Sequence, residues 1–177
     1  MTTILLARHG ETDWNREGRF QGHADPPLNE EGRAQARDLA RRLADDPFDA
    51  VYSSDLRRAH ETALIVAERH GVPVVTEPGL REIDVGSWSG LTRAEVEERF
   101  PGAAHHDGES REDHLARVVD TVERIACAHP GRRILVVSHG GSLRALRNHA
   151  IGEPFHPIEN CGVYELRFRD GVFGRID

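Results

Sequence analysis

Two short apolar runs constrain this chain more than anything else in it. Residues 3–7 (TILLA) and 133–137 (RILVV) are nearly continuous apolar stretches of the length of a fully buried strand, and each stops abruptly in polar residues. The first ends in Arg8-His9-Gly10, the second in Ser138-His139-Gly140-Gly141. A strand without a polar face needs cover on both sides, and the rest of the chain supplies it. Asn29 reads as the N-cap of a helix to about Ala44, with Glu30 and Glu31 in the first turn and Ala36, Leu39, Ala40 and Leu43 at helical spacing. AVYSS at 50–54 reads as a strand, a helix from Leu56 is stopped by Gly71, and residues 72–80 (VPVVTEPGL) carry a third strand into a loop. A short helix is expected over 92–99 and a long one over 110–128, with Leu115, Val118, Val119, Val122, Ile125 and Ala126 on one face. Another helix follows Gly141 through His149, and VYELRF and VFGRI form a hairpin about Asp170-Gly171. Alternating strands and helices predict an α/β sheet covered on both faces, in which ligands gather beyond the carboxyl ends of the strands.

At 177 residues, with glycine and proline scattered as punctuation, the chain reads as a single domain over 1–177. The pattern weakens between Gly86 and Gly108, which is read as a small excursion over the sheet at about 86–110. The first apolar run is too short for a signal peptide or a membrane span, so the expectation is a cytoplasmic protein with no membrane partner. Cys127 and Cys161 are far apart and form no CxxC pair, which fits a reducing compartment and packing roles. A net charge of −7 argues against a nucleic-acid partner. All 23 basic residues are arginine. The absence of lysine excludes Schiff-base chemistry and a P-loop, while arginine offers planar forks that suit phosphate oxygens; an overall bias toward arginine explains the count equally well.

The two strand ends form a pair. His9 and His139 would point into one crevice, glycine after each lets an anion approach the backbone, and Gly140 and Gly141 open a helix whose free N–H groups favour negative charge. Arg8 adds a fixed positive charge beside His9. A single His-Gly would merely cap a strand, but two on separate buried strands point to a site.

Taken in order, LLARHGETDWN, GRFQG, ADPPLNEEGRAQA, SSDLRRAHETA, LREIDVGSWSG and VVSHGG, spread over residues 3 to 147, resemble the histidine phosphatase superfamily, in its phosphoglycerate mutase branch. The resemblance implies a three-layer α/β/α sandwich with a mostly parallel sheet, a phosphohistidine intermediate, no metal and no cofactor. It makes His9 the nucleophile, and Arg8, Arg58 and His139 the rest of a phosphate pocket. Nearby guanidinium groups would keep the His9 imidazole neutral, as a nucleophile must be. Arg57 competes with Arg58, and the family spacing before Ala59 and Thr62 selects Arg58. Glu82 matches the proton donor, with Asp84 the nearest rival acid. Asn15, Thr12, Gln21 and Gly22 match positions near the phosphate, with a structural role the alternative for Thr12 and Gln21; Gly140 joins them at the helix start.

The expected activity is therefore a metal-independent phosphatase acting on small phosphate esters. The alternatives are a mutase, which needs a water-excluding cap longer than the stretch seen here, an inactive phospholigand-binding module, and a metal hydrolase. His105-His106 with Asp107 lacks metal-ligand spacing and reads as a solvated cap loop. Arg93, Arg111 and His114 are candidates for the substrate entrance, Trp88 and Phe100 for a ring-bearing substrate or plain packing. His23, His60, His70, His129, His149 and His156 read as structural or surface residues. The identity of the ester and the oligomeric state are left open.

Overall fold

The computed structural model describes residues 1–104, 106–152 and 157–174, so His105, His156 and the Arg175-Ile176 end of the expected hairpin lie outside the described residues. Among the described residues six strands form one sheet: β1 (Thr2–Arg8), β2 (Ala50–Ser53), β3 (Val74–Thr76), β4 (Arg133–Ser138), β5 (Val163–Arg169) and β6 (Val172–Gly174). Their spatial order is β3-β2-β4-β1-β5-β6. The first four run parallel; β5 is antiparallel to β1, and β6, at the sheet edge, is antiparallel to β5.

Side chains alternate across a strand, so β1 feeds two separate cores. Ile4 and Leu6 join Ile134 and Val136 in one core, under the helices α5 (Arg111–Ala128) and α6 (Gly140–Ile151). Leu5 and Ala7 join Leu135 and Val137 in the other, under α2 (Glu30–Arg42) and α3 (Arg57–Glu68). The result is the three-layer α/β/α sandwich expected. Parallel neighbours require crossovers, and α2, α3 and α5 supply them. Residues 78–110 contribute two single 3₁₀ turns, Pro78–Leu80 and Gly86–Trp88, and the short helix α4 (Arg93–Arg99). Among the described residues no helix is long and apolar enough to cross a membrane.

Three local expectations need correction. A one-turn helix, α1 (Asp13–Arg16), follows β1; one turn is too short to leave a periodic pattern, and its only trace is the capping pair Thr12 and Asn15. On α5 the buried stripe is His114, Val118, Thr121, Val122, Ile125 and Ala126, while Leu115 and Val119 are only half-buried. The stripe follows the 3.6-residue period through polar positions that an apolar count passes over. Cys161 is buried, but Cys127 is exposed and packs no core.

Candidate active site

The register of β1 against β4 creates the site. Arg8 pairs with Ser138, so the next residue on each parallel strand is a histidine at the same height. The His9 and His139 rings meet edge-on with centroids 5.1 Å apart. His9 is 3% exposed and lines the cleft. Its Nδ1 lies 2.6 Å from the Gly10 carbonyl, which can only accept, so Nδ1 carries the proton and Nε2 keeps its lone pair. Burial, then the positive charges of Arg58 and Arg8, hold the imidazole well below its ordinary pKa. The opposing pull of the Gly10 bond is smaller. The His9 main chain is fixed from outside the sheet: its carbonyl accepts from Asn160 Nδ2 at 2.9 Å, and Gly10 N–H donates to Thr62 Oγ1 at 3.1 Å.

Two arginines flank the rings. Arg58, in the first turn of α3, is 1% exposed and donates through Nη1 to the Ala24 carbonyl at 2.7 Å and through Nη2 to the Gly22 carbonyl at 2.9 Å. Burial lowers its pKa to about 10, against Glu82 and Asp25, which favour its charge. Arg57 points out to solvent, which separates the two candidates. Arg8 Nη1 donates to the Ile158 carbonyl at 2.6 Å, and burial lowers its pKa as well. His139 is fully buried against the His9 ring, and burial followed by the Arg58 charge holds it well below the ordinary imidazole value. The Nε atoms of Arg8 and Arg58 and both ring nitrogens of His139 have no hydrogen-bond partner among the described residues. So many unsatisfied polar atoms in one buried cluster are costly unless a ligand meets them, and the ligand chemistry they fit is an anion with several acceptor oxygens.

Glu82 faces this cluster from the far wall. Its Oε2 accepts from Gly141 N–H at 2.8 Å and its Oε1 from Ile83 N–H at 2.9 Å. The first bond seats a carboxyl on the N-terminus of α6, where the helix dipole favours negative charge. Only glycine permits this, because a Cβ at 141 would stand 2.9 Å from Glu82 Cδ. At Gly140 a Cβ would come within 3.3 Å of Arg8 Nε. Asp84 accepts from Gly86 N–H at 2.9 Å and is not among the residues lining the cleft, so of the two acids Glu82 alone faces it. Arg117 on α5 anchors the Glu82 loop, donating to the Gly79, Arg81 and Glu82 carbonyls while paired with Glu109.

Asn15, Gln21 and Gly22 line the cleft. Gly22 sits at φ +50°, and its carbonyl is an acceptor for Arg58. Thr12 does not line it: fully buried, its hydroxyl accepts from Asn15 N–H and donates toward Gln21 Oε1 at 3.0 Å, so it braces the two residues that do. The cleft is about 820 Å³, room for a ligand considerably larger than a phosphate. Trp88, Arg93 and His106 form its outer wall, with Trp88 stacked edge-on against His106 and tilted against Phe20. Arg111, His114 and Arg144 also line it. Asp107 is committed to Ser87, and no metal-binding group of three His, Cys, Asp or Glu is present among the described residues. Gly141 was read from the sequence only as part of a helix start that favours negative charge, and Arg117, Ser142 and Arg144 were not singled out. What the sequence did not show is that Glu82 is the carboxyl seated there, or that Arg117 and Ser142 meet the Glu82 segment across more than twenty residues. His23, read as structural, has Nε2 2.9 Å from the Glu82 carbonyl.

Known proteins resemble this chain over most of its length. The pattern of the histidine phosphatase superfamily (branch 1) matches residues 4–174. The metal-independent phosphoserine phosphatase of Arabidopsis thaliana is 44% identical over 82% of this chain and 67% of its own length. Phosphoglycerate mutase-like protein 4 of the same plant is 39% identical over 95% of this chain and 80% of its own. The structure of a mycobacterial glucosyl-3-phosphoglycerate phosphatase in complex with VO3 superimposes with a TM-score of 0.87 at 33% identity, covering 97% of this chain and 95% of that one. From the two strand-end histidines to the match over nearly its whole length, this chain belongs to the histidine phosphatase superfamily, branch 1.

Proposed function

We propose that the chain hydrolyses small phosphate monoesters in two steps through a phosphoryl group carried on His9 Nε2. The observation that carries this reading is a neutral imidazole, its proton committed to Gly10, set among buried arginine and histidine nitrogens that have no partner among the described residues. In the first step Nε2 attacks phosphorus, the ester bond breaks, and Glu82 gives a proton to the departing oxygen. In the second, water attacks the phosphohistidine and Glu82 takes a proton back, releasing inorganic phosphate. Arg8, Arg58 and His139 hold the phosphoryl oxygens and offset the charge that develops on them. Asn15, Gln21, Gly22 and Gly140 contact the ligand, Thr12 supports them, and residues 86–110 act as a small cap on a single domain.

The substrate follows from the outer cleft. Arg93, Arg111 and Arg144 line it together with Glu97, so arginines outnumber carboxylates there. These charges favour an ester bearing a second anionic group, such as a carboxylate, which fits the phosphoserine and glucosyl-3-phosphoglycerate of the named relatives. Rapid acid-free quenching should trap an acid-labile phosphoryl group on the wild type and none on His9→Ala. Phosphate release should be faster from phosphoserine or 3-phosphoglycerate than from phosphoethanolamine. Isomerisation of phosphoglycerate without phosphate release would make the chain a mutase, and loss of turnover in chelator would overturn the metal-free mechanism.

A further inference from the structure

His114 interrupts an otherwise apolar and small-residue stripe on α5, is 4% exposed, and reaches the same cleft as Glu82. Its Nε2 lies 2.9 Å from Ser142 Oγ and 3.8 Å from Glu82 Oε1. Ser142, fully buried in the first turn of α6, is 2.9 Å from the Arg81 carbonyl and 3.4 Å from Glu82 Oε1. A hydroxyl has one proton. The Arg81 carbonyl can only accept, so at the shorter distance Ser142 donates to it and must accept from His114, which places the His114 proton on Nε2. The same hydroxyl can turn and donate to Glu82 Oε1 instead, again while accepting from His114; Oε1 accepts this bond when the carboxyl is ionised, and still accepts it when the transferable proton is on Oε2. Burial lowers the His114 pKa despite the Glu82 carboxylate beside it, so the ring is a neutral donor and not a competing charge.

We propose that His114 is a positioning residue for proton transfer: its Nε2–H holds the Ser142 hydroxyl, and that hydroxyl fixes the Glu82 carboxyl in both of its protonation states. The inference rests on Glu82 being the proton donor. Leucine would fill the stripe as well as histidine does, so packing alone does not account for a buried imidazole with a hydrogen bond to the α6 terminus.

The test uses two substrates that differ in their need for a proton. An alkyl phosphate such as 3-phosphoglycerate must have its leaving oxygen protonated, whereas p-nitrophenyl phosphate releases a stable anion. The quantity measured is kcat/KM, which covers the steps up to alcohol release and excludes hydrolysis of the phosphoenzyme. His114→Leu should lose about tenfold on the alkyl ester and less than about twofold on the aryl ester. His114→Gln, whose amide carries an N–H at nearly the same reach, should recover most of the loss. Ser142→Ala should show the same split, and serves if His114→Leu unfolds. Equal losses on both esters, no loss on either, or no recovery with Gln overturns the inference. Glu82→Gln separates the two claims: if it also loses equally on both esters, the proton-donor assignment itself fails, whereas a split for Glu82→Gln without one for His114→Leu refutes only the role of His114.

Discussion

Gly141→Ala should separate activity from stability. In a helix alanine is favoured over glycine by up to about 1 kcal/mol, so on propensity alone the substitution is harmless or mildly stabilising. The obstacle is Glu82: the new Cβ would stand 2.9 Å from its Cδ and 3.0 Å from Oε2. The α6 backbone is held by its hydrogen bonds, while Glu82 is the far end of a flexible side chain, so the carboxyl is what moves. It has to retreat by on the order of 1 Å, and a displacement of that size at a reacting group costs about 100-fold in rate. Retreat also breaks the 2.8 Å bond from Gly141 N–H, a loss that roughly cancels the helix gain. The expected variant is folded, with a stability within about 1 kcal/mol of the parent by urea denaturation. Its kcat/KM on 3-phosphoglycerate should fall about 100-fold, with a smaller loss on p-nitrophenyl phosphate. A folded Gly141→Ala protein with unchanged turnover would refute the claim that Glu82 works from the α6 terminus.

Arg58→Lys keeps the charge but not the fork that spans the Gly22 and Ala24 carbonyls. It should lower kcat/KM by about 10²–10³-fold and destabilise the protein by about 1–3 kcal/mol, measured by steady-state kinetics and chemical denaturation; full activity would show that the fork is dispensable. His9, His114 and His139 all have folded pKa values below the ordinary 6.5, so below that pH the unfolded chain binds protons that the folded one does not. Stability should therefore be fully present above about pH 6.5 and fall as the pH drops toward the folded values, by up to about 1.4 kcal/mol per pH unit for each histidine; urea midpoints that stay flat from pH 7.5 to 5.5 would contradict this. Gly22→Ala puts a Cβ 2.7 Å from Val85 Cγ2 at a left-handed φ of +50°, and should cost about 1–3 kcal/mol in denaturation while loosening the Arg58 acceptor and raising KM; an unchanged KM would mean that this carbonyl does not set the phosphate pocket.

The main strands and long helices were legible because β1 and β4 are apolar between their polar ends and α2, α3 and α5 keep the helical period. Two histidines ending neighbouring strands could be read as a pair, and the strand register then brought them to one height. Arg58 could be separated from Arg57 only by family spacing, since propensity says nothing about which of two adjacent helix residues is buried. The support of Glu82 was legible only in pieces: Gly141 stood out as part of an anion-favouring helix start and His114 as a candidate at the entrance, but nothing tied them, Arg117 or Ser142 to Glu82, which they reach from two helices distant in sequence. Thr12 shows the reverse case, a residue placed beside the phosphate by its position in a motif, whose hydroxyl is spent on a helix cap and on Gln21.

For the phosphoryl transfer proposed above, the commitment of one His9 nitrogen to the Gly10 carbonyl also decides which chemical isomer forms. Phosphohistidine exists in two forms that differ in stability and antibody recognition, and only the nitrogen distant from the main chain is available here. The trapped intermediate should therefore be recognised by reagents for 3-phosphohistidine and missed by those for 1-phosphohistidine, so a labelling survey that used only the latter would overlook it.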